Sequence, residues 1–517
     1  MTSAHTDPNL AVLAQTAFER LGDYDSLIFE GRTYRSGNLF ERARRASSGL
    51  VKLGIEPGQR VVVLTANCPE VGIAYNAIWR AGAVVTPVVF LISPPELTHI
   101  LTDSGAVAII TSPELLATVA AAAAGAPELR HMIVIGGAPE PGSLPGHVRG
   151  VDFAELESAP AGEIVQVGSD DLAALMYTGG TTGRAKGVML SHRNLYACAE
   201  SAFAASDAPG LTRAITPLPL SHAYGMIVTL VGFHATERGL GVLQRWFDPP
   251  GLLALIQEHK IQRTALVPAM IQMLLAQPLE DYDLSSLVYV NCGAAPLAAE
   301  TREQWERRVP SSEILEGYGC TESGAVISVN PPGASKPGSV GLPIPGYQIA
   351  IRDESDADVP PGADGEICAH ADGVMAGYWN SPDETAATLS GGWLHTGDVG
   401  HQDADGYLYV VDRKKDLIIR GGFNVFPRDV EDALVEHPAV AMAGVVGRPD
   451  ERLGEEVVAF VSLRPGGEAT PEEITAFAKG RLAAHKYPRE VHILDSVPLT
   501  SVGKLDRKAL RNRLAGG

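Results

Sequence analysis

Short apolar runs alternate with amphipathic segments along most of the chain. The stretches RVVVLTA, AVVTPVV and VAIIT predict strands, whereas EVGIAYNAIWRAG and PPELTHILTDSG have the apolar spacing of helices. The alternation resumes in PGLLALIQEHKIQRTALVPAMIQMLL, and LVYVNCGAAPL runs from a strand into a turn of small residues. Because strands that alternate with helices form parallel sheets covered by helices, we predict an α/β fold.

The pattern changes at about Ile349. Short strands with Asp, Gly and Pro turns follow, as in IAIRDESDADVPPGADGEICAH, and they predict a β-rich subdomain. After Asp412, PRDVEDALVEH and PEEITAFAKGRLAAH predict helices, while VAMAGVVG and EVVAFVSL predict strands. Domains hinge at polar, solvated connections, so we place the hinge at the charged DRKKD segment, residues 412–416. The predicted domains are therefore residues 1–412 and residues 413–517.

Composition and charge narrow the class of protein. A chain of 517 residues exceeds one ordinary core. The net charge of −20 argues against nucleic acid or an anionic membrane as a partner. The N-terminus lacks the features of a signal peptide, and the most apolar run, AGAVVTPVVFLI, is too short to span a bilayer.

The cysteines are scattered without metal-binding spacing and indicate free thiols in a reducing cytoplasm: Cys68, Cys198, Cys292, Cys320 and Cys368.

The stretch YTGGTTGRAKGV, residues 177–188, combines four glycines, three threonines and two cations. A segment between a strand and a helix can bind phosphate oxygens when it offers backbone N–H groups, hydroxyls and a lysine. The stretch is not a Walker loop, because Lys186 stands three residues beyond Gly183 and is followed by glycine. Taken alone, it is also compatible with an ordinary glycine-rich connection.

Four further segments carry candidate chemistry far apart in the chain. Glu322 in EGYGCTES could meet a metal held by phosphates, and Asp398 in WLHTGD could accept ribose hydroxyls. His222 lies among apolar residues in LPLSHAYG, and Lys504 lies in a glycine-containing loop in PLTSVGKLDRKAL. Each alone is typical of ordinary structure: a surface glutamate, a turn aspartate, a core histidine or a solvated lysine.

Together, these segments closely resemble the superfamily of adenylate-forming enzymes, which includes acyl-CoA synthetases, firefly luciferase and non-ribosomal adenylation domains. The likeness runs from about Tyr34 to Leu510, nearly the whole chain. It rests on seven segments in register: YTGGTTGRAKGV, PLPLSHAYG, NCGAAPL, GYGCTES, WLHTGDVG, DRKKDLIIRGGFNVFPRDVE and PLTSVGKLDRKAL. In the first of them Gly179 replaces a frequent serine and Ala185 a frequent proline, so one phosphate donor and some rigidity are lost.

The resemblance implies a large N-terminal domain of two βα-sandwich subdomains and a β-rich subdomain, followed by a small mobile α+β domain. It implies that ATP, Mg²⁺ and coenzyme A take part in the reaction. The implied phosphate-binding residues are Thr178, Gly179, Gly180, Thr181, Thr182, Gly183 and Lys186. The remaining implied nucleotide-binding residues are Gly293, Ala294, Ala295, Pro296 and Tyr318 around the adenine, Gly319 and Thr321 in the next turn, and Asp398 and Arg413 at the ribose.

The resemblance also implies how two half-reactions share one site. Lys504 bridges the attacking carboxylate and the α-phosphate, Glu322 helps to hold Mg²⁺, and His222 guards the acyl pocket. The C-terminal domain then rotates about Lys415 and brings in Gly421 and Gly422, which leave room for the pantetheine arm of coenzyme A. Lys504, Glu322, His222 and Lys415 are thus the candidate catalytic residues.

The segment after His222 bears on the acid. SHAYGMIVTLVGFH contains no carboxylate to pair with a substrate ammonium and no arginine to pair with a second carboxylate. We therefore expect a hydrophobic monocarboxylic acid, either fatty, aryl or terpenoid. Two alternatives stay open: a stand-alone ligase that loads a carrier-protein thiol, and a nucleotide-binding protein without catalysis. The sequence leaves the oligomeric state open, a homodimer included.

Overall fold

A computed structural model describes residues 9–140, 142–178, 185–206, 208–421, 423–500 and 505–515, without the side chains of Lys415, Asn424 and Ala515. The chain divides into two compact units. Unit 1 comprises Met1–Gln348 and Ala369–Leu394, and unit 2 comprises Ile349–Cys368 and His395–Gly517. The β-rich segment after Ile349 thus falls mainly in unit 2, and the boundary at residue 412 stays a prediction about domain organisation.

The described strands are numbered in chain order. They are β1 (Asp25–Phe29), β2 (Arg32–Arg35), β3 (Arg60–Leu64), β4 (Val84–Pro87), β5 (Ala108–Thr111), β6 (His131–Val134), β7 (Arg149–Asp152), β8 (Leu172–Thr178), β9 (Lys186–Ser191), β10 (Arg213–Thr216), β11 (Leu240–Leu243), β12 (Arg263–Leu266), β13 (Tyr289–Cys292), β14 (Glu313–Tyr318), β15 (Ser328–Val329), β16 (Leu342–Pro343), β17 (Gln348–Arg352), β18 (Gly365–His370), β19 (Gly377–Tyr378), β20 (Leu394–Gln402), β21 (Leu408–Arg413), β22 (Ile418–Arg420), β23 (Phe423–Val425), β24 (Val440–Asp450), β25 (Gly454–Leu463) and β26 (Glu490–Leu494).

The described α-helices follow the same order. They are α1 (Leu10–Leu21), α2 (Ser36–Lys52), α3 (Pro69–Arg80), α4 (Pro94–Ser104), α5 (Leu116–Ala123), α6 (Phe153–Glu157), α7 (His192–Ser206), α8 (Ala223–His234), α9 (Pro249–His259), α10 (Pro268–Leu275), α11 (Ala299–Arg308), α12 (Pro382–Thr388), α13 (Pro427–Val435), α14 (Pro471–Lys479) and α15 (Arg507–Ala515). Within the described ranges we find no helix whose length and hydropathy would let it cross a bilayer.

Unit 1 contains two large sheets, each with a parallel centre. One has the order β16-β15-β14-β13-β12-β10-β11-β1-β2, and its strands from β14 to β1 run parallel. The other has the order β19-β9-β8-β4-β3-β5-β6-β7, with parallel strands from β8 to β7 and antiparallel β9 and β19 at one edge. The predicted α/β fold with two βα-sandwich subdomains is confirmed.

Burial on both faces explains the continuous apolar strands. Every residue of β4 and β5 is buried, and so are Val61 to Leu64 of β3, as expected for parallel strands covered by helices. Helix α3 packs with Tyr75 and Trp79 fully buried. The indole N–H of Trp79 donates to the Ala173 carbonyl oxygen (3.0 Å) and ties the helix to β8.

Unit 2 contains two smaller sheets. The first, β17-β18-β20-β21, comes from the predicted β-rich segment. The second has the order β23-β22-β25-β24, with β26 paired to β25. Helix α14 ends at Lys479, although the pattern predicted it to continue toward His485. Gly480 follows at the C-cap, and glycine is a poor helix former.

Candidate active site

Two candidate nucleotide-binding turns follow neighbouring strands of unit 1. Strand β13 leads into Gly293, and β14 ends at Tyr318 and leads into Gly319. The two strands are parallel, with Cys292 opposite Glu316. Because the carboxyl ends of parallel strands meet at one edge of a sheet, where open α/β sheets bind their ligands, these turns lie at the expected edge.

Backbone crowding accounts for the glycines in these turns. A Cβ atom on Gly319 would lie 2.1 Å from a neighbouring carbonyl oxygen, and one on Gly293 would lie 3.2 Å from another. Ala294 adopts a positive φ of 69°, which is uncommon for a residue with a side chain. Ala295 and Pro296 complete the turn. Such strained backbone concentrates at ligand sites, so this turn is a candidate surface for the adenine.

Glu322 lies in a short 3₁₀ turn, Thr321–Ser323, that Gly324 closes with a φ of 79°. The main chain of the turn is held from outside, because the Met375 N–H donates to the Glu322 carbonyl oxygen (2.8 Å). The side chain is held as well. The Tyr378 hydroxyl donates to Glu322 Oε1 at 2.9 Å, so both parts of the residue depend on the segment around β19.

The candidate phosphate loop joins two antiparallel strands. Thr178, the last residue of β8, pairs with Lys186, the first of β9. The Lys186 ammonium lies 2.6 Å from Glu384 Oε1 of α12. The predicted residues between the strands lie outside the described part of the chain: Gly179, Gly180, Thr181, Thr182 and Gly183.

Helix α4 holds the base of this hairpin. The Tyr177 hydroxyl donates to Asp103 Oδ2 (2.6 Å), and burial, with Asp103 beside it, raises the pKa of Tyr177. The His99 Nε2 atom lies 3.0 Å from the Ala185 carbonyl oxygen. Both sides of the hairpin are therefore anchored just before the loop begins.

His222 is the N-cap of α8, and its Nδ1 atom accepts the N–H of Tyr224 (3.2 Å). The histidine thus orients the first turn of the helix. The Tyr224 hydroxyl donates to the Asn291 carbonyl oxygen on β13 (3.2 Å), and burial raises its pKa. Tyr224 belongs to an apolar cluster with Leu218, Val228, Ala265, Val267, Ala269, Met270 and Ala294.

Asn67 fixes the segment that precedes His222. Its amide Nδ2 donates to the carbonyl oxygens of Leu218 (2.8 Å) and Gln244 (3.1 Å), and its Oδ1 accepts the N–H of Leu220 (2.9 Å). Asn67 is buried, so these bonds are poorly accessible to competing water. The position of His222 is therefore set by a residue about 150 positions earlier in the chain.

In unit 2 the structure brings two predicted ribose-binding residues together. Asp398 on β20 is paired with Arg413 on β21, and the Arg413 Nε atom lies 3.4 Å from Asp398 Oδ1. The Asp398 carboxylate is mostly buried, whereas Arg413 is about half-exposed. Carboxylate oxygens accept hydrogen bonds, so Asp398 has the chemistry to receive the hydroxyl groups of a ribose.

The remaining predicted residues of unit 2 lie in the hinge and in two glycine segments. Lys415 lies in the short 3₁₀ turn Lys414–Asp416. Gly421 has a φ of 60° and donates its N–H to the Leu453 carbonyl oxygen (2.7 Å). Gly422 and Lys504 lie outside the described residues.

An ion network links this hinge turn to α15 within unit 2. Arg507 donates to both oxygens of Glu431 (2.9 and 2.7 Å) and lies 3.6 Å from Asp416. Arg511 donates to Asp416 Oδ1 at 2.6 Å. Burial raises the pKa of the Glu431 carboxyl to about 7 and also raises the pKa of Asp412. The hinge turn is thus bound to the helix that follows the candidate lysine loop.

The Glu322 carboxylate is chemically compatible with its predicted role as a Mg²⁺ ligand. Among the described residues no group of three or more His, Cys, Asp or Glu could hold a metal by itself. Mg²⁺ does not need such a cage, because it is commonly bound by one or two carboxylates together with substrate phosphates and water. A single oriented carboxylate in the same unit as the phosphate loop therefore fits this ion.

Sequence reasoning missed three features of the site. Tyr378, Asn67 and the Glu431–Arg507 pair contact predicted elements through side chains that no motif marks. The GYWNSPDET stretch, with a strand-like pair before a proline turn, was the available signal for Tyr378. The other two features depend on tertiary packing and have no local signal.

Two family models match the chain. The model described as AMP-binding enzyme matches residues 14–379, and the model described as AMP-binding enzyme C-terminal domain matches residues 429–504. The two matches leave residues 380–428 between them, and this interval contains the predicted hinge.

Known proteins similar to this chain include several ligases. It is 37% identical to a feruloyl-CoA synthase of Amycolatopsis sp over 511 residues, which cover 96% of this chain and 97% of that protein. It is 35% identical to a long-chain-fatty-acid–CoA ligase of Bacillus subtilis, with coverage of 95% and 92%. Among solved structures, an anthranilate CoA ligase in complex with anthranoyl-AMP aligns over 100% of both chains, with a TM-score of 0.90 and 27% identity.

Proposed function

The chain belongs to the AMP-binding enzyme family, and we propose that its acid substrate is a compact aromatic carboxylic acid. The enzyme is an AMP-forming acyl-CoA synthetase, an acid–thiol ligase that uses ATP, Mg²⁺ and coenzyme A. The acid attacks the α-phosphorus of ATP and displaces pyrophosphate. The thiol of coenzyme A then attacks the acyl carbon of the adenylate, and AMP leaves.

The observation that carries the aromatic substrate is the position of Tyr224. Its ring is partly buried against the apolar cluster at the start of α8, and its hydroxyl is hydrogen-bonded to β13. A Cβ built on Gly293 would lie only 3.8 Å from the ring. We expect a tyrosine ring fixed in this position to obstruct a long, flexible acyl chain more than a flat aromatic acid. Aromatic pairs also add stabilisation beyond the area that they bury.

The similar proteins support this choice and also a second candidate. One relative is a feruloyl-CoA synthase and one structural neighbour is an anthranilate CoA ligase, both named for aromatic acids. A long-chain fatty acid is the second candidate, favoured by the apolar character of the cluster and by the Bacillus subtilis ligase. Amino acids and diacids are disfavoured, because residues 221–234 contain no carboxylate and no arginine to pair with a second charge.

Charge is the main obstacle to the first half-reaction, since the acid and ATP are both anionic. We assign the triphosphate to residues 178–186, with Lys186 as the described cation, and the adenine to residues 293–296 with Tyr318. Glu322 would hold Mg²⁺, which shields the phosphate charges when it is bound. Asp398 and Arg413 would hold the ribose, and Lys504 would stabilise the charge that develops at the α-phosphate. Preorganised charges of this kind supply much of the catalysis in such sites.

The second half-reaction requires a different arrangement of the C-terminal residues. We propose that Lys415 is the pivot and that Gly421 and Gly422 provide space for the pantetheine arm. Coenzyme A is the acceptor, and a carrier-protein thiol is the alternative acceptor. His222 is assigned to the wall of the acyl pocket and not to proton transfer, because its Nδ1 atom already caps α8.

The test is ATP–pyrophosphate exchange over a panel of acids, which reports adenylation before any thiol is added. The panel contains benzoate, a hydroxycinnamate, octanoate, palmitate, acetate, malonate and several amino acids. Burial of an aromatic ring predicts kcat/KM for the aryl acids roughly a hundredfold above acetate and at least about tenfold above palmitate. Fastest exchange with palmitate would establish the second candidate. Fastest exchange with acetate, malonate or an amino acid would overturn both.

A further inference from the structure

Tyr378 contacts both of the side chains assigned to Mg²⁺ and phosphate in unit 1. Its hydroxyl donates to Glu322 Oε1 at 2.9 Å, and its ring centroid lies 5.6 Å from the Lys186 ammonium. A carboxylate accepts hydrogen bonds from an O–H donor, and an ammonium is attracted to the face of an aromatic ring. One side chain therefore contacts an anion and a cation at once, and Glu384 holds the same ammonium from another side at 2.6 Å.

The backbone around Tyr378 is fixed on both sides. Strand β19 pairs with β9, with Tyr378 opposite Val188, and the Trp379 N–H donates to the Gly187 carbonyl oxygen (2.7 Å). The Tyr378 N–H donates to Thr385 Oγ1 (2.8 Å). The ring is half-buried, so it has little freedom to leave the position between the carboxylate and the lysine.

Glu322 keeps an oxygen available for a metal in this arrangement. The Tyr378 hydroxyl occupies Oε1, and none of the described residues donates to Oε2 in the hydrogen bonds of the structure. Carboxylates that bind metals are commonly hydrogen-bonded through a second group that sets their direction. The tyrosine has the chemistry and the distance of such a group.

We propose that Tyr378 is a positioning residue for MgATP: its hydroxyl directs Glu322 toward Mg²⁺, and its ring directs Lys186 toward the phosphates. This inference rests on the proposed roles of Glu322 and Lys186. It predicts that the hydroxyl and the ring can be separated by substitution, because Tyr378→Phe removes only the first and Tyr378→Leu removes both.

The experiment is calorimetric titration of the full-length protein with ATP, once with Mg²⁺ and once with EDTA. In Tyr378→Phe, the gain in affinity that Mg²⁺ provides should fall about tenfold, the usual scale for loss of a group that orients a metal ligand. Affinity for ATP in EDTA should stay within about twofold of the wild type. In Tyr378→Leu, affinity in EDTA should also fall several-fold, because the ring no longer faces Lys186.

Two reference variants make the result decisive. Tyr75→Phe also removes a buried hydroxyl in unit 1, the one that donates to the Leu220 carbonyl oxygen, and it should leave both ATP affinities unchanged. Glu322→Gln should remove most of the Mg²⁺-dependent gain. If Glu322→Gln does so and Tyr378→Phe does not, the inference about Tyr378 is wrong. If Glu322→Gln leaves the gain intact, the proposed role of Glu322 is wrong.

Discussion

Replacing Glu431 should change how the stability of unit 2 depends on pH. The carboxylate is buried against Arg507 on α15 and accepts the N–H of Val445 (2.8 Å). Asp412 on β21 adds a second negative charge nearby, and Arg507 is shared with Asp416. Burial outweighs the attraction to one shared cation, which is why the pKa of Glu431 rises to about 7.

The direction follows from proton binding. A carboxyl whose pKa is higher in the folded state binds more protons when folded, so its contribution to stability is complete below the unfolded value of 4.5 and is lost as the pH rises through about 7. The interval from 4.5 to about 7, at 1.36 kcal/mol per pKa unit, corresponds to about 3 kcal/mol. When the pH rises from 5 to 8, ionisation of Glu431 should therefore lower the unfolding free energy of unit 2 by roughly 2 kcal/mol.

The measurement is hydrogen exchange of the slowest backbone amides of β24 and β25 at several pH values, in the wild type and in Glu431→Gln. Tryptophan fluorescence does not report on this unit, because all five tryptophans lie outside it. The decline in exchange free energy from pH 5 to pH 8 should be shallower in Glu431→Gln by roughly 2 kcal/mol. Glu436→Gln, which removes a largely exposed partner of Arg481, should follow the wild type. Parallel curves for Glu431→Gln and the wild type would show that the Glu431 carboxyl does not titrate in this range.

Two further variants test how the half-reactions are divided. Lys504→Ala should slow acyl-adenylate formation by about two orders of magnitude, the scale of a lost charge stabiliser, and should spare thioester formation from supplied acyl-adenylate. Equal loss of both steps would contradict this role for Lys504. Lys415→Pro, which restricts φ at the proposed pivot, should still adenylate but fail to form thioester. If Lys415→Pro had no effect, or slowed both half-reactions equally, residues 412–416 would be an ordinary charged connection.

Local patterns in the sequence predicted the fold better than they predicted the side chains that hold the site residues in position. The strands β3, β4 and β5 are continuous apolar runs because both faces of the sheet are covered, and such runs are visible in the sequence. Asp398 and Arg413 were predicted by resemblance, and the β20–β21 register places them side by side. The GYWNSPDET stretch marks the turn beside Tyr378, but the contacts of Tyr378 and Asn67 could not be found in this way, because their partners lie 56 or more residues away.

Long-range packing also decides which charged residues form buried pairs, and the sequence does not show this packing. The sequence shows Glu431 and Arg507 as two among many charged residues, and only their packing explains why one becomes a buried pair with a raised carboxyl pKa. The end of α14 is a smaller example. The apolar spacing continues past Gly480, but the helix ends at Lys479, and the residue that follows is a glycine, a poor helix former.

An AMP-forming acyl-CoA synthetase must form its three products in fixed proportion. The measurement is the product balance of one reaction that contains the best aryl acid of the exchange panel, ATP, Mg²⁺ and coenzyme A. We predict acyl-CoA, AMP and pyrophosphate in equal amounts, with no thioester when coenzyme A is omitted. Formation of ADP and phosphate, or release of AMP and pyrophosphate without acyl-CoA while a holo-carrier protein is acylated, would contradict this function.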